Sequence, residues 1–243
     1  MSGDLFTLRM MVVGDRDEHR QIWRDAARLA SVPIDFKEAD GANNSGTFAD
    51  GGLDIVVFDG DLNDCNDAIQ AARALTPRPI ITVAATSPDK IDGADAFVHK
   101  PPTKDDARAL LERCINMRVP RRVLVVDDST TMRAIVRKIL SASRYALEVS
   151  EADEGLAALK NIDNGVAIVL LDYNMPGFNG FETLAEIKRL ASHVNVVMMT
   201  STENEALVAK AETSGAAGFL RKPFYPADID AVLDTIYAAP PAR

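Results

Sequence analysis

VAIVLLDYNMPGFNG, residues 166 to 180, is an aliphatic run that stops at a carboxylate and continues into turn-forming residues. The run from Val166 to Leu171 predicts a short strand that is apolar on both faces, as central parallel strands between two helical layers are. Asn174 and Gly177 predict a loop directly after Asp172. Because the chemistry of open parallel α/β sheets collects outside the carboxyl ends of the strands, Asp172 is a candidate functional residue.

Length and composition favour two globular domains. The chain has 243 residues, of which 47% are hydrophobic, enough for two cores of ordinary size. No run of about 18 apolar residues occurs and the N-terminus lacks the apolar core of a signal peptide, so a cytoplasmic protein without membrane contact is expected. The net charge of −9, with no Lys/Arg cluster, disfavours a nucleic-acid partner. Cys65 and Cys114 have no CxxC or His-rich companion and are interpreted as free thiols.

An internal repeat divides the chain into two copies of one domain. Residues 9–15 (RMMVVGD), 38–40 (EAD) and 55–59 (IVVFD) each recur 113 residues later, as RVLVVDD, EAD and IVLLD. FVHKP at residues 97–101 recurs as FLRKP at an offset of 122, so the first copy has lost residues after its central aspartate. The predicted domains are residues 1–118 and residues 119–243.

Each copy alternates short apolar strands with helix-length segments, which predicts βα units around a parallel sheet. In the second copy, strands are expected at about residues 122–126, 146–150, 167–172, 195–200 and 218–220, with helices between them. In the first copy, the Gly and Asn content of residues 41–52 (GANNSGTFADGG) argues against a helix there. Residues 86–94 separate its fourth and fifth strands, so a short or absent helix is expected at that point.

Polar residues end the strands of the second copy: Asp127 and Asp128 after the first, Asp172 after the third, Thr200 after the fourth and Lys222 after the fifth. Their chemistry suits phosphoryl transfer to a carboxylate, with Asp172 as the nucleophile. Neighbouring carboxylates need a cation in order to stay ionised, and oxygen ligands suit Mg²⁺. The expected ligands are Asp128, Asp172 and the backbone carbonyl of Asn174, with Asp127 assisting through water. Lys222 supplies positive charge to the phosphoryl oxygens and Thr200 a hydroxyl donor.

This order of residues, with separations of 44, 28 and 22 from Asp128 through Asp172 and Thr200 to Lys222, resembles the receiver domains of two-component response regulators. The resemblance implies that the chain consists of two tandem flavodoxin-like (βα)5 domains, each a five-stranded parallel sheet with helices on both faces. It implies phosphorylation of Asp172 by a sensor histidine kinase or a phosphotransfer protein, with Mg²⁺. Phe219 falls on the family's aromatic switch position, where it would respond to phosphorylation together with Thr200. The peptide bond after Lys222 is expected to be cis.

The first copy retains only part of this pattern. Asp15, Asp59 and Lys100 have counterparts in the second copy, whereas Gly14 replaces the first acid and Asp61 stands in the place of Asn174. Ala84 is assigned to the hydroxyl position, with Thr86 two residues late. A degenerate receiver that acts as an adaptor is therefore expected, although Asp15, Asp59 and Asp61 could together hold a divalent cation. His19 is interpreted as a packed or solvated side chain.

The predicted function is that of a response regulator without an attached output domain, a non-enzyme that signals by phosphorylation-dependent contact with an unknown output protein. A phosphorylation-linked homodimer is also predicted. Two alternatives within the family stay open: the receiver pair of a diguanylate cyclase-type regulator, if the chain is a fragment, and a phosphate sink that drains a kinase. A remote alternative is a haloacid dehalogenase-like phosphatase, because Asp59, Asp61, Lys100 and the pair Asp105-Asp106 superficially resemble its acid and lysine set.

Overall fold

Ten strands in the described part of the chain pair into two parallel sheets of five. This computed structural model describes residues 6–41, 48, 52–87, 91–100, 102–162, 165–177, 179–201 and 205–238. The chain divides into one unit at Met1–Arg118 and a second at Val119–Arg243, and each unit contains one sheet. Strands alternate with helices along each unit, as the short apolar runs predict.

The first unit is an α/β unit with helices after its first, third and fifth strands. The strands are β1 (Leu8–Val13), β2 (Ile34–Ala39), β3 (Ile55–Asp59), β4 (Ile80–Ala85) and β5 (Ala96–His99). The helices are α1 (Asp17–Arg28), α2 (Cys65–Arg73) and α3 (Lys104–Arg118). The strand order is β2-β1-β3-β4-β5, which places β3 at the centre of the sheet.

The second unit has a helix after every strand. The strands are β6 (Arg121–Val126), β7 (Leu147–Ala152), β8 (Val166–Asp172), β9 (Asn195–Thr200) and β10 (Gly218–Arg221). The helices are α4 (Thr130–Leu140), α5 (Gly155–Asn161), α6 (Gly180–Leu190), α7 (Glu205–Thr213) and α8 (Pro226–Ala238). The order β10-β9-β8-β6-β7 is the flavodoxin-like order, as in the first unit, so the predicted fold class is confirmed.

The central strand β8 is buried on both faces, as its unbroken apolar run predicts. Leu170 lines a small cavity together with Leu233 of α8 on one face of the sheet. Leu171, which is fully buried, packs on the other face in a cluster that includes Leu184 of α6. Since successive side chains of a strand point to opposite faces, both helical layers rest on this strand. Each fully buried leucine contributes roughly 1.5–3 kcal/mol to folding.

Two details differ from, or extend, the sequence expectations, and one agrees with them. β7 ends at Ala152, two residues later than expected, because its pairing with β6 continues to Val126. The peptide bond Lys222–Pro223 is cis, as expected, and Thr76–Pro77 is cis as well.

Two predicted irregular segments of the first unit are described only in part. Residues 42–47, 49–51 and 88–90 lie outside the described residues. The described residues 86, 87 and 91–94, between β4 and β5, contain no helix. No helix within the described ranges is both long enough and apolar enough to cross a membrane.

Candidate functional site

The second unit brings the predicted polar residues together at the carboxyl edge of its sheet. Asp127 follows β6, Asp172 ends β8 and Thr200 ends β9. These three strands are neighbours, so their last residues lie side by side. Asp127, Asp172 and Thr200 are buried, with 1%, 5% and 0% of their surface exposed. Because a buried charge is costly without a partner, the two carboxylates require compensating positive charge.

Lys222, directly after β10, supplies part of that charge. Its Nζ donates to Asp127 Oδ2 at 2.6 Å and to Asp172 Oδ1 at 2.8 Å. Burial lowers the pKa of the Lys222 ammonium, but the hydrogen bonds to the two carboxylates outweigh it and the net pKa is raised. Burial raises the pKa of Asp172, and the hydrogen bond and charge of Lys222 offset this rise only in part. One ammonium shared by two buried carboxylates leaves the site short of positive charge.

Asp128 adds a third carboxylate at the exposed rim of the site. Asp127, Asp128 and Asp172 each offer an oxygen within 4.8 Å of the others. Within the described ranges, this is the single group of three or more acidic, His or Cys side chains that meets that distance. Carboxylate oxygens next to solvent suit Mg²⁺, which keeps several water ligands. Asn174, whose carbonyl is a further predicted ligand, is exposed and lines the same cleft.

The loop after β6 is held in place by Ser129. The Ser129 N–H donates to Asp127 Oδ1 at 2.9 Å, and this orients the carboxylate. Ser129 Oγ accepts from the N–H of Met132 at 3.3 Å and so caps α4. Ser129 therefore both caps the start of α4 and positions the Asp127 carboxylate.

Arg133 fixes the backbone of the same loop, and sequence reasoning missed it. Arg133 donates from a terminal nitrogen to the carbonyl of Asp127 at 2.8 Å, and its Nε donates to Glu151 on β7 at 3.0 Å. The internal repeat carried the signal, because Arg20 stands 113 residues earlier and donates to the carbonyl of Gly14 at 3.1 Å. This contact is common to both units, including the one that lacks the first acid.

The start of α6 lies directly against the backbone of Asp172. Asn179 caps the helix and forms a reciprocal capping box with Glu182. A Cβ atom on Gly180 would lie 2.6 Å from the carbonyl oxygen of Asp172. Glycine is therefore required where the helix passes the strand end, which accounts for the Asn-Gly pair at the end of residues 166–180.

The two predicted switch residues occupy the end of β9 and the middle of β10. Thr200 is fully buried, and its carbonyl accepts from the N–H of Lys222 at 2.7 Å. Phe219 is partly buried and packs against the cluster on the α5 and α6 side of the sheet. Their switching role stays a prediction.

A cleft of about 520 Å³ opens beside the acidic group. Its polar part consists of Asp127, Asp128, Asp172 and Lys222, and one wall is formed by the apolar side chains of Met132, Ile135 and Ile139 from α4. Ile135 is 46% exposed, so this wall faces solvent. A second molecule can therefore reach the buried Asp172 through the cleft.

Comparison with known proteins agrees with this geometry. The family model of the response regulator receiver domain matches residues 123–234. Chemotaxis protein CheY-3 of Vibrio cholerae is 34% identical over 119 residues, which cover 48% of this chain and 91% of CheY-3. The chain belongs to the response regulator receiver family. Response regulator UvrY of Escherichia coli K12 is 36% identical over 117 residues, and this receiver chain spans 54% of the length of UvrY.

A solved structure also shares the receiver fold. It is described as a probable two-component system response regulator/GGDEF domain protein. It aligns with a TM-score of 0.61 and 23% identity, and the alignment covers 95% of this chain and 98% of that one. The likeness shows the fold of both receiver units.

The first receiver unit places Asp59 and Lys100 at the matching edge of its own sheet. Asp59 ends β3 and is 9% exposed. Lys100 Nζ forms an ion pair with Asp59 Oδ1 and lies 3.2 Å from Asp61 Oδ2. Asp15 is exposed, and the described residues of this unit contain no group of three acids close enough to share a metal ion. The suggestion of a cation held by Asp15, Asp59 and Asp61 is therefore not supported.

The strand register corrects one assignment in the first receiver unit. Asp59 pairs with Ala84 on β4, whereas Asp172 pairs with the residue before Thr200 on β9. Ala85, not Ala84, therefore matches Thr200. The prediction was wrong by one residue because the repeat offset changes between β3 and β5, and sequence alone does not show where.

The backbone of the fifth strand supports the corrected register. The N–H of Lys100 donates to the carbonyl of Ala85 at 3.0 Å, just as the N–H of Lys222 donates to Thr200 at 2.7 Å. Thr86 thus follows the matched position by one residue, not two. The hydroxyl is still missing from the strand end itself.

His19 and the pair Asp105-Asp106 occupy places that the sequence left open. His19 Nδ1 lies 3.4 Å from Asp59 Oδ2, so this histidine contacts the strand-end carboxylate and is not merely packed or solvated. Asp105 and Asp106 lie in the first turn of α3, where Asp106 Oδ2 accepts from the N–H and Oγ of Thr103 at 3.0 and 2.7 Å. The pair starts a helix, so the geometry gives the phosphatase alternative no support.

Proposed function

We propose that Asp172 accepts a phosphoryl group in an Mg²⁺-dependent reaction, and that the phosphorylated chain signals by contact with other proteins. The observation that carries this proposal is the close group of Asp127, Asp128 and Asp172, of which Asp127 and Asp172 share the ammonium of Lys222. Membership of the receiver family supports the same chemistry. The donor is a sensor histidine kinase or a phosphotransfer protein.

In the proposed reaction, an oxygen of the ionised Asp172 carboxylate attacks the phosphorus of a phosphohistidine. The new P–O bond forms as the P–N bond breaks, and the electron pair returns to the imidazole of the donor, which takes up a proton. Lys222 Nζ, already 2.8 Å from Asp172, compensates the charge of the phosphoryl oxygens. Asp128, Asp172 and the Asn174 carbonyl, with Asp127 assisting, would hold Mg²⁺, which would supply the charge that neutralises the remaining negative charge.

The output follows from the residues around the acceptor. The buried hydroxyl of Thr200 is drawn toward the phosphoryl group, and Phe219 moves with it. The face formed by α7, β10 and α8 then changes and contacts an output protein or a second copy of the chain. The first unit acts as an adaptor that takes no phosphoryl group.

Two alternatives stay predictions. A phosphate sink would use the same site without any partner contact. The receiver pair of a diguanylate cyclase-type regulator shares the fold with the response regulator/GGDEF structure, and at 23% identity that likeness extends to the fold alone.

Intact-mass spectrometry after treatment with a small phosphodonor and Mg²⁺ tests the proposal. The wild-type chain is expected to gain one phosphoryl group, and the gain should disappear in Asp172→Ala and when the metal is chelated. Asp59→Ala is the matched control, a strand-end aspartate of the other unit, and should gain as much as wild type. Uptake by Asp172→Ala at the wild-type level would refute the assignment of the acceptor. A second phosphoryl group that depends on Asp59 would refute the adaptor role of the first unit.

A further inference from the structure

The Asp61 carboxylate of the first unit is bound by three donors at the edge of the sheet. Lys100 Nζ lies 3.2 Å from Asp61 Oδ2, and Thr86 Oγ1 donates to the same oxygen at 2.9 Å. The backbone N–H of Thr86 donates to Asp61 Oδ1 at 3.1 Å. An ammonium, a hydroxyl and a backbone N–H thus converge on one anion.

These donors correspond to residues that lie beside the proposed phosphoryl site of the second unit. Lys100 matches Lys222 by strand register, and Thr86 matches Ser201, the residue directly after β9. Asp61 is the second residue after the strand-end aspartate, and the exposed amide Asn174 is its neutral counterpart. Carboxylate and phosphoryl oxygens both accept charge-assisted hydrogen bonds, so either group can satisfy the same donors.

The remaining contacts close the arrangement around Asp59. The N–H of Asp61 donates to Asp59 Oδ1 at 3.0 Å, and His19 Nδ1 lies 3.4 Å from Asp59 Oδ2. Lys100 also pairs with Asp59, and its side chain is only 8% exposed. Burial raises the pKa of Asp61, but the hydrogen bonds from Thr86 and the charge of Lys100 outweigh it and lower the pKa below its usual value. Asp61 is therefore ionised under ordinary conditions.

We propose that the Asp61 carboxylate is a built-in substitute for a phosphoryl group, which holds Lys100 and Thr86 of the first unit in one closed arrangement without phosphorylation. The first unit then keeps this arrangement whether or not a phosphodonor is present, while the second unit responds to a phosphodonor. In the first unit this role depends on one substitution, an acid at the position where the second unit has the amide Asn174.

Amide hydrogen exchange of the full chain, read by NMR at Thr86, tests this directly. Asp61→Asn keeps the shape of the side chain and removes its charge, so exchange at Thr86 should become roughly tenfold faster, the difference between a charge-assisted and a neutral hydrogen bond. Asp64→Asn is the matched control, since it removes an equal charge three residues away, and should leave Thr86 unchanged. Thr86→Val removes only the hydroxyl. In this variant, amide exchange around the Lys100 N–H should become faster, but by less than the tenfold expected at Thr86 in Asp61→Asn.

A phosphate mimic provides the second arm. With beryllofluoride and Mg²⁺, the wild-type amide of Ser201 in the second unit should change its exchange rate, whereas that of Thr86 should not. Equal exchange at Thr86 in wild type and Asp61→Asn, or a response of wild-type Thr86 to beryllofluoride, would overturn the proposal. A silent Ser201 would count against the proposed function instead, because the Asp61 variants need no phosphoryl chemistry.

Discussion

Replacing Lys222 by Met should destabilise the second unit in a pH-dependent way. The side chain is 14% exposed and donates two charge-assisted hydrogen bonds, at 2.6 and 2.8 Å, to two buried carboxylates. Removing one partner of a buried ion pair costs about 3–5 kcal/mol, because the other charge is left uncompensated. Lys222→Met keeps the aliphatic stem, so the loss is electrostatic and not a cavity.

Proton uptake sets an upper bound on this loss. Once Lys222 is gone, Asp172 can take a proton and share it with Asp127. At pH 7, protonating a carboxyl with an ordinary pKa near 3.9 costs about three pH units, or about 4 kcal/mol. At pH 5 the same bound is about 1.5 kcal/mol. When the pKa of a carboxyl is raised in the folded state, the free energy of unfolding falls as the pH rises. The stability that Lys222→Met loses relative to wild type should therefore grow from pH 5 to pH 7.

Urea titration followed by hydrogen-exchange mass spectrometry of β8 peptides reports the free energy of unfolding of the second unit. We expect a loss of about 3 kcal/mol at pH 7 without Mg²⁺, and about 1.5 kcal/mol or less at pH 5. Saturating Mg²⁺ should recover part of the loss at pH 7, because a cation that binds only the folded state stabilises it. Lys160→Met, on the exposed surface of α5, is the matched control and should change stability by less than about 0.5 kcal/mol. A Lys222→Met variant as stable as this control, or one whose deficit shrinks from pH 5 to pH 7, would refute the reasoning.

Two further predictions rest on pKa shifts. In calorimetric titration the wild-type chain should bind Mg²⁺ more weakly at pH 5 than at pH 7.5. Burial raises the pKa of Asp172, so at the lower pH a proton competes with the cation. Equal affinity at the two pH values would contradict this prediction. Cys65 and Cys114 are buried, and burial raises the pKa of each thiol to about 11. Iodoacetamide at pH 8 should therefore leave both thiols unmodified in the native chain and alkylate both in urea. Rapid alkylation of the native chain would contradict the burial of these thiols.

The second site was predictable because every member lies at a strand end. Parallel strands bring their carboxyl ends to one edge, so locating Asp127, Asp172, Thr200 and Lys222 in order along the chain sufficed to place them together. The short apolar runs located those ends to within two residues. Chemistry that depends on topology alone can be derived in this way.

The contacts that escaped prediction depend on side-chain direction and on loop backbone. Arg133 reaches the carbonyl of Asp127 from the surface of a helix, and amphipathic spacing does not reveal such a contact. The hydrogen bonds of Asp61 to Thr86 join two loops whose lengths differ between the copies. The one-residue error at Ala84 also comes from a difference in loop length. The repeat offset changes between β3 and β5, and only the pairing of the strands shows which residues of β4 and β9 match.

Charge balance distinguishes the two receiver units more sharply than the number of retained residues. In the described part of the second unit, the group of Asp127, Asp128 and Asp172 has one ammonium, that of Lys222, bound to two of its carboxylates, and a divalent cation would neutralise the excess of two negative charges.

In the first unit, Asp59 and Asp61 face Lys100, which leaves a single negative charge, and Asp61 already occupies the ammonium of Lys100 and the hydroxyl of Thr86. A phosphoryl group on Asp59 would also lie near the Asp61 carboxylate. Two like unit charges about 4 Å apart repel by about 4 kcal/mol at an effective dielectric constant near 20. That repulsion would lower the equilibrium constant for phosphorylation of Asp59 by roughly three powers of ten, since each 1.4 kcal/mol is a factor of ten. We therefore expect a carboxylate in place of an amide to disfavour phosphorylation of a unit that keeps the strand, the aspartate and the lysine.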